Sequence, residues 1–223
     1  MERIDTQMFS FVNNSPLRSK SFDSFMLLIT QLGEGWIVLL LMTVIHYGLG
    51  MSGSWYGESF VTVLAAGVVC QVVKKYFPRS RPVCVLSNVN VVGKRLVSGS
   101  FPSGHTATSF ALAVVFSYHW SDFTNLFFMI AGLIGVTRIY VGAHFPFDVF
   151  WGGLIGFSIS NMFVAFLLIA HDYGVQQPYA VAYGCILGIA LILPLFGGYT
   201  FEKMFDRLKS KILRVSMLLQ QRR

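Results

Sequence analysis

The stretch "LFFMIAGLIGVTRIYVGAHFPFDVFWGGLIGFSI", residues 126–159, is two apolar runs joined by a polar seam, "TRIYVGAHFPFD", residues 137–148. With its flanks, each run reaches the roughly 17–25 mostly apolar residues that cross a hydrocarbon core as a helix. Backbone groups inside lipid must pair within their own segment, so runs of this kind predict helices. The seam carries Arg138, His144 and Asp148. Ionisable side chains at the edge of lipid are costly unless they reach water or one another, which makes the seam a candidate functional site.

The rest of the chain repeats the apolar pattern. Of 223 residues, 54% are hydrophobic and 12% are charged, against about a quarter charged in an ordinary globular domain. Six segments are candidate spans: 35–50, 57–74, 103–120, 123–141, 146–170 and 178–199. Ahead of the first, Phe22, Phe25, Met26, Ile29 and Leu32 recur at helical spacing among polar residues. Beyond the last, Phe205, Leu208, Ile212, Val215 and Leu219 do the same among Lys203, Arg207, Lys209, Lys211 and Arg214. Both read as amphipathic helices along the interface.

The sequence thus predicts an all-α, polytopic membrane helix bundle with about six transmembrane helices and an interfacial helix at each end. It forms one domain over 1–223: an interfacial segment at 1–34, a six-span core at 35–199 and a basic amphipathic tail at 200–223. In the fifth span Gly152, Gly156 and Ser160 stand four apart, a small-residue stripe that predicts close helix packing. The connection "YFPRSRPVCVLSNVNVVGKRLVSGSF", residues 76–101, holds prolines and glycines that argue against a single helix. Cys70, Cys84 and Cys185 are too scattered to suggest a disulfide framework or a thiolate metal site. The first 33 residues show no cleavable secretory signal pattern. The formal charge of +7 comes from residues between and beyond the apolar runs rather than from an aqueous domain. That argues against nucleic acid and for acidic headgroups or phosphorylated lipids as partners.

Spans alternate direction, so the end of the second, the start of the third, the end of the fourth and the start of the fifth share one membrane face. This threading gathers three separated motifs: "KKYFPRSRP" with Lys74 and Arg81, "PSGH" with Ser103, Gly104 and His105, and the seam itself. Lys74, Arg81 and Arg138 offer the point and fork-shaped positive charge that phosphoryl oxygens accept. "PSGH" opens a helix whose first N–H groups form an anion site, with Ser103 adding a hydroxyl and Gly104 permitting close approach. His144 and Asp148, four apart, fall on one helix face, so Asp148 can orient the imidazole and free its other nitrogen for attack. His105 is then the proton donor to the leaving oxygen, and two histidines in these roles move phosphate without a metal or other cofactor.

Taken together, these motifs resemble the three signatures of the type 2 phosphatidic acid phosphatase family, which is related to vanadium haloperoxidases. The first signature corresponds to Lys74, Arg81 and Pro82, the second to "PSGH", and the third to Arg138, His144 and Asp148; Thr137 stands where the family usually has serine. The resemblance, over about residues 57–170, implies a helical membrane core in which His144 forms a phosphohistidine, Asp148 orients it and His105 is the general acid. It also implies that Lys74, Arg81, Ser103, Gly104 and Arg138 hold the phosphate.

The expected activity is metal-independent hydrolysis of a phosphomonoester or terminal diphosphate on a lipid headgroup. Undecaprenyl diphosphate, phosphatidylglycerophosphate, phosphatidic acid and lipid A phosphates are the candidate substrates. Phosphotransfer to another lipid uses the same residues, and an anion channel or carrier is the non-enzymatic alternative, disfavoured by uniformly apolar spans. Two arguments about sidedness conflict. All 17 Lys and Arg residues fall on the active face or with the termini, which by the positive-inside rule makes that face cytoplasmic. The resemblance implies an outer, periplasmic face in a bacterial inner membrane, and the reading leans that way. Lys94 and Arg95 in the connection are candidates for a second phosphate contact.

Overall fold

The computed structural model describes residues 2–48, 50, 53–97 and 99–173. The predicted sixth span and the basic tail lie outside the described residues. Among those residues the structure is all-helical: α1 Glu2–Asn13, α2 Lys20–Gln31, α3 Gly35–Thr43, α4 Trp55–Tyr76, α5 Pro82–Val85, α6 Gly104–His119, α7 Thr124–Tyr140 and α8 Pro146–Asp172.

Three of these helices are long and apolar enough to cross a membrane: α4, α7 with the short 3-10 turn before it, and α8. They coincide with the predicted second, fourth and fifth spans and mark an integral membrane protein. Only 28% of the most apolar window of α8 is buried within the protein, so Phe150, Leu154, Phe157, Met162 and Phe166 are left to face lipid. The predicted third span is α6, and it is short at 16 residues. It packs against α4, α7 and α8 at the centre of the bundle, with Ala107, Ala111, Ala113 and Val115 almost fully buried.

The predicted first span differs from expectation. α3 has nine residues and runs into a five-residue π-helix, Val44–Gly48, together too short for a core of about 30 Å at about 1.5 Å per residue. It meets the criterion only as a pair with α2, bent by 70° between them. The bend follows from the last turn of α2, where Leu32, Gly33 and Glu34 donate to carbonyls three residues back. Gly33 then lies where a Cβ would stand 2.7 Å from Ile134 Cγ2 and 3.1 Å from His105 Cβ. A side chain there would push α2 and α3 off the core.

α8 reaches α6 through the small-residue stripe. A Cβ on Gly152 would meet the Ser103 carbonyl, and one on Gly156 the Ala107 carbonyl, while Ser160 is fully buried and donates to the Gly156 carbonyl at 2.8 Å. This approach brings the start of α8 against the start of α6. α1 packs on α7 and α8 through Phe9, which is 1% exposed and clusters with Ile139 and Phe145.

Candidate active site

The seam between α7 and α8 is built by two helix caps in succession. At the end of α7, Gly142 has φ +81, its N–H donates to Ile139 and the next N–H, from Ala143, donates to Arg138. This is the Schellman arrangement, with glycine at the position that needs a left-handed backbone. The His144 N–H also donates to the Arg138 carbonyl, at 3.1 Å. Pro146 then opens α8 at its first position, and Asp148 reaches back to accept from the Phe145 N–H at 2.9 Å, half of a capping box. The spacing from Arg138 to Asp148 is one turn closing and the next helix starting.

His144 sits between the caps, 2% exposed. Its Nε2 lies 3.3 Å from Arg81 Nη1, and Arg81 also donates to the Ala143 carbonyl at 2.8 Å. Its Nδ1 stands 3.7 Å from Asp148 Oδ2, beyond hydrogen-bond length, and has no hydrogen-bond partner among the described residues. The expected orienting bond from Asp148 is therefore a close approach and not a hydrogen bond. Burial, aided by Arg138 and Arg81 against the pull of Asp148, pushes the His144 imidazole down to about 3. It is neutral at physiological pH.

Asp148 is fully buried and its oxygens are taken by other donors: Arg79 at 2.6 Å, Ser100 Oγ at 2.5 Å and the Phe145 N–H. Arg79 also spans to Asp5 of α1 at 2.5 Å, and Asp5 accepts from the Phe147 N–H at 2.9 Å. The Arg79 guanidinium lies 4.5 Å over the Phe145 ring. One arginine thus ties α1, the 76–101 connection and the start of α8 together.

Ser103 is the N-cap of α6, but its side chain makes no cap bond; its hydroxyl lies 2.8 Å from Thr106 Oγ1. Its backbone N–H donates to the Asp148 carbonyl at 2.9 Å, so this N–H is unavailable to an anion. A Cβ on Gly104 would meet nothing within 4 Å, leaving open space over the first turn of α6. Arg138 is 5% exposed, donates to Thr30 Oγ1 at 2.7 Å and leaves its Nε unpartnered among the described residues. The Lys74 stem packs beside Gly99, where a Cβ would lie 3.0 Å from it. His105 Nε2 stands 2.5 Å from Glu34 Oε2.

A cavity of about 450 Å³ opens on this group, lined by His105, Arg138, Ala143, Glu34 and Lys94 among apolar residues such as Trp36 and Leu96. The structure brings the three motifs to one end of the bundle: Arg81 touches His144, Ser103 touches Asp148, and His105 and Arg138 share the cavity. Lys94 reaches its rim. Sequence reading missed Arg79, Ser100, Asp5 and Glu34. Arg79 sat inside "KKYFPRSRP" and could have been found as a second guanidinium two residues from Arg81. Asp5 and Glu34 carry no local signal, because their partners are 74 and 71 residues away in sequence.

Residues 55–171 match the PAP2 superfamily. The chain is 33% identical over 109 residues to a lipid A 1-phosphatase of Rhizobium etli, a match covering 46% of this chain and 47% of that protein. It is 23% identical over 160 residues to the undecaprenyl-diphosphatase BcrC of Bacillus subtilis, covering 72% of this chain and 82% of that one. The crystal structure of Aquifex aeolicus LpxE superposes with a TM-score of 0.65 at 30% identity, covering 73% of this chain and 95% of that chain. The chain spans about half the length of several of the curated relatives it matches.

Proposed function

The chain belongs to the PAP2 superfamily, and on that premise we propose that it is a lipid phosphatase hydrolysing a phosphomonoester or terminal diphosphate through a phosphohistidine on His144. The observation that carries this reading is the neutral, buried His144 with Nε2 against Arg81, beside a cavity reaching Arg138 and His105. A neutral imidazole keeps the lone pair that attack on phosphorus requires. Arg81, Arg138 and Lys74 would stabilise the charge spreading over the phosphoryl oxygens, a task guanidinium forks suit. As the Nε2–P bond forms and the P–O bond breaks, His105 would protonate the leaving oxygen, then take a proton from the water that releases phosphate. Asp148, anchored by Arg79, would steady the imidazolium side of the ring once charge develops there.

The apolar wall of the cavity, with Trp36, Ile37, Val83 and Leu96, supports a substrate whose phosphate is carried on an apolar chain, as in a lipid. The relatives support undecaprenyl diphosphate or a lipid A phosphate as the chemistry to test first. The active face is proposed to be the outer one. Phosphate release from a panel of undecaprenyl diphosphate, phosphatidylglycerophosphate, phosphatidic acid and lipid A tests the reading. One lipid should turn over, and His144→Ala should abolish that turnover while the protein stays folded. Turnover retained by His144→Ala would overturn the mechanism.

A further inference from the structure

The expected general acid is already engaged in this structure. His105 Nε2 lies 2.5 Å from Glu34 Oε2, a residue outside the three motifs, supplied by the sharp joint between α2 and α3. Gly33, pressed against His105, fixes where that joint passes. Glu34 is 42% exposed, His105 is 20% exposed, and both line the same cavity. The titratable groups that act on His105 through space are Lys74 on α4, Arg81 in the connection, Arg138 on α7 and His144 in the seam. All but His144 are cationic; burial of the ring first, and then these cations, disfavour a protonated imidazole. Glu34 is the carboxylate that opposes them.

We propose that Glu34 is a positioning residue for proton transfer: before substrate binds it holds the Nε2 proton of His105, and it yields that place to the leaving oxygen of the bound substrate. This inference rests on the lipid phosphatase reading above. In the first step the P–O electron pair and the His105 proton both go to the leaving oxygen, while His144 gains the phosphoryl group. In the second, His105 takes a proton from the attacking water, the P–N bond breaks, and phosphate departs. Glu34 then re-engages the protonated ring. Because the leaving oxygen takes its place on His105 when substrate is bound, Glu34 acts on the ring in the free enzyme.

That confinement gives a distinct signature, because kcat/KM reports ionisations of the free enzyme and kcat those of the complex. Glu34→Gln removes the opposing charge, so the alkaline limb of kcat/KM should move down by about one pH unit, with kcat/KM near pH 8 falling about tenfold. The alkaline limb of kcat should stay in place. The assay uses dioctanoyl phosphatidic acid, with p-nitrophenyl phosphate as a probe whose leaving group needs little protonation and whose rates should fall less. Glu34→Asp should restore most of the limb. Superimposable profiles for Glu34→Gln and wild type would overturn the proposal, as would an equal loss of kcat and kcat/KM at every pH. A wild type whose phosphate release does not depend on His144 would overturn the phosphatase reading itself, and is recognised without any Glu34 variant.

Discussion

Arg79 offers the sharpest test of how the fold holds its site. It is 27% exposed, yet it neutralises two carboxylates that are 7% and 0% exposed, Asp5 and Asp148. Replacing it by Gln strands both negative charges inside the protein. Breaking a buried ion pair from one side costs about 3–5 kcal/mol. Asp148 keeps Ser100 Oγ and the Phe145 N–H, and Asp5 keeps the Phe147 N–H, so the cost should fall near the lower end, about 3 kcal/mol. For a chain of this length that is a drop of about 6–12 °C in Tm. Arg79→Lys, able to reach one carboxylate but not both with fork geometry, should lose about half as much. Asp5→Asn should soften the Arg79→Gln defect, because one of the stranded charges is gone. The assay is thermal unfolding in detergent alongside phosphate release. If Arg79→Gln unfolds at the wild-type temperature, or if the two substitutions add without coupling, the bridging role is wrong.

Three further outcomes follow from the geometry. Gly142→Ala forces a side chain into φ +81 with its Cβ 2.8 Å from the Asn90 carbonyl; strain of about 1–3 kcal/mol and misplacement of His144 should lower both Tm and turnover, and unchanged turnover would refute the cap's role in positioning. His144 takes up a proton near 6.5 when unfolded but only near 3 when folded. Between those values the unfolded chain binds more protons, so stability should be constant above about pH 6.5 and fall as pH drops below it, by up to about 1.4 kcal/mol per unit from this group. His144→Gln should flatten that slope in pH-dependent unfolding, and an unchanged slope would contradict the buried neutral imidazole. A single cysteine at position 94, in a chain freed of Cys70, Cys84 and Cys185, should react with an impermeant maleimide on intact cells if the active face is outward; protection would reverse the assignment.

The parts of the site that were legible in sequence are those made by local geometry. Arg138, His144 and Asp148 follow a fixed spacing because a Schellman turn at Gly142 and half of a capping box behind Pro146 set it residue by residue. The helices α4, α7 and α8 were legible because lipid demands long apolar runs, and the stripe at Gly152, Gly156 and Ser160 because close packing demands small residues at one face. What escaped was long-range. Asp5 meets Arg79, and Glu34 meets His105, only after the bundle has closed. The bend at Gly33 escaped for the same reason: the residues that exclude a Cβ there, Ile134 and His105, lie on other helices. The same tertiary demands explain why Ser103 gives its N–H to the Asp148 carbonyl.

If His144 carries the phosphoryl group during turnover, that species can be trapped. Enzyme turning over its best lipid phosphate, quenched in alkali where phosphohistidine survives, is digested and mapped by mass spectrometry. A phosphoryl group should appear on the peptide containing His144, accumulate in His105→Ala with an activated aryl phosphate and be absent from His144→Ala. Steady turnover with no labelled histidine, or with the label on any other residue, would contradict it.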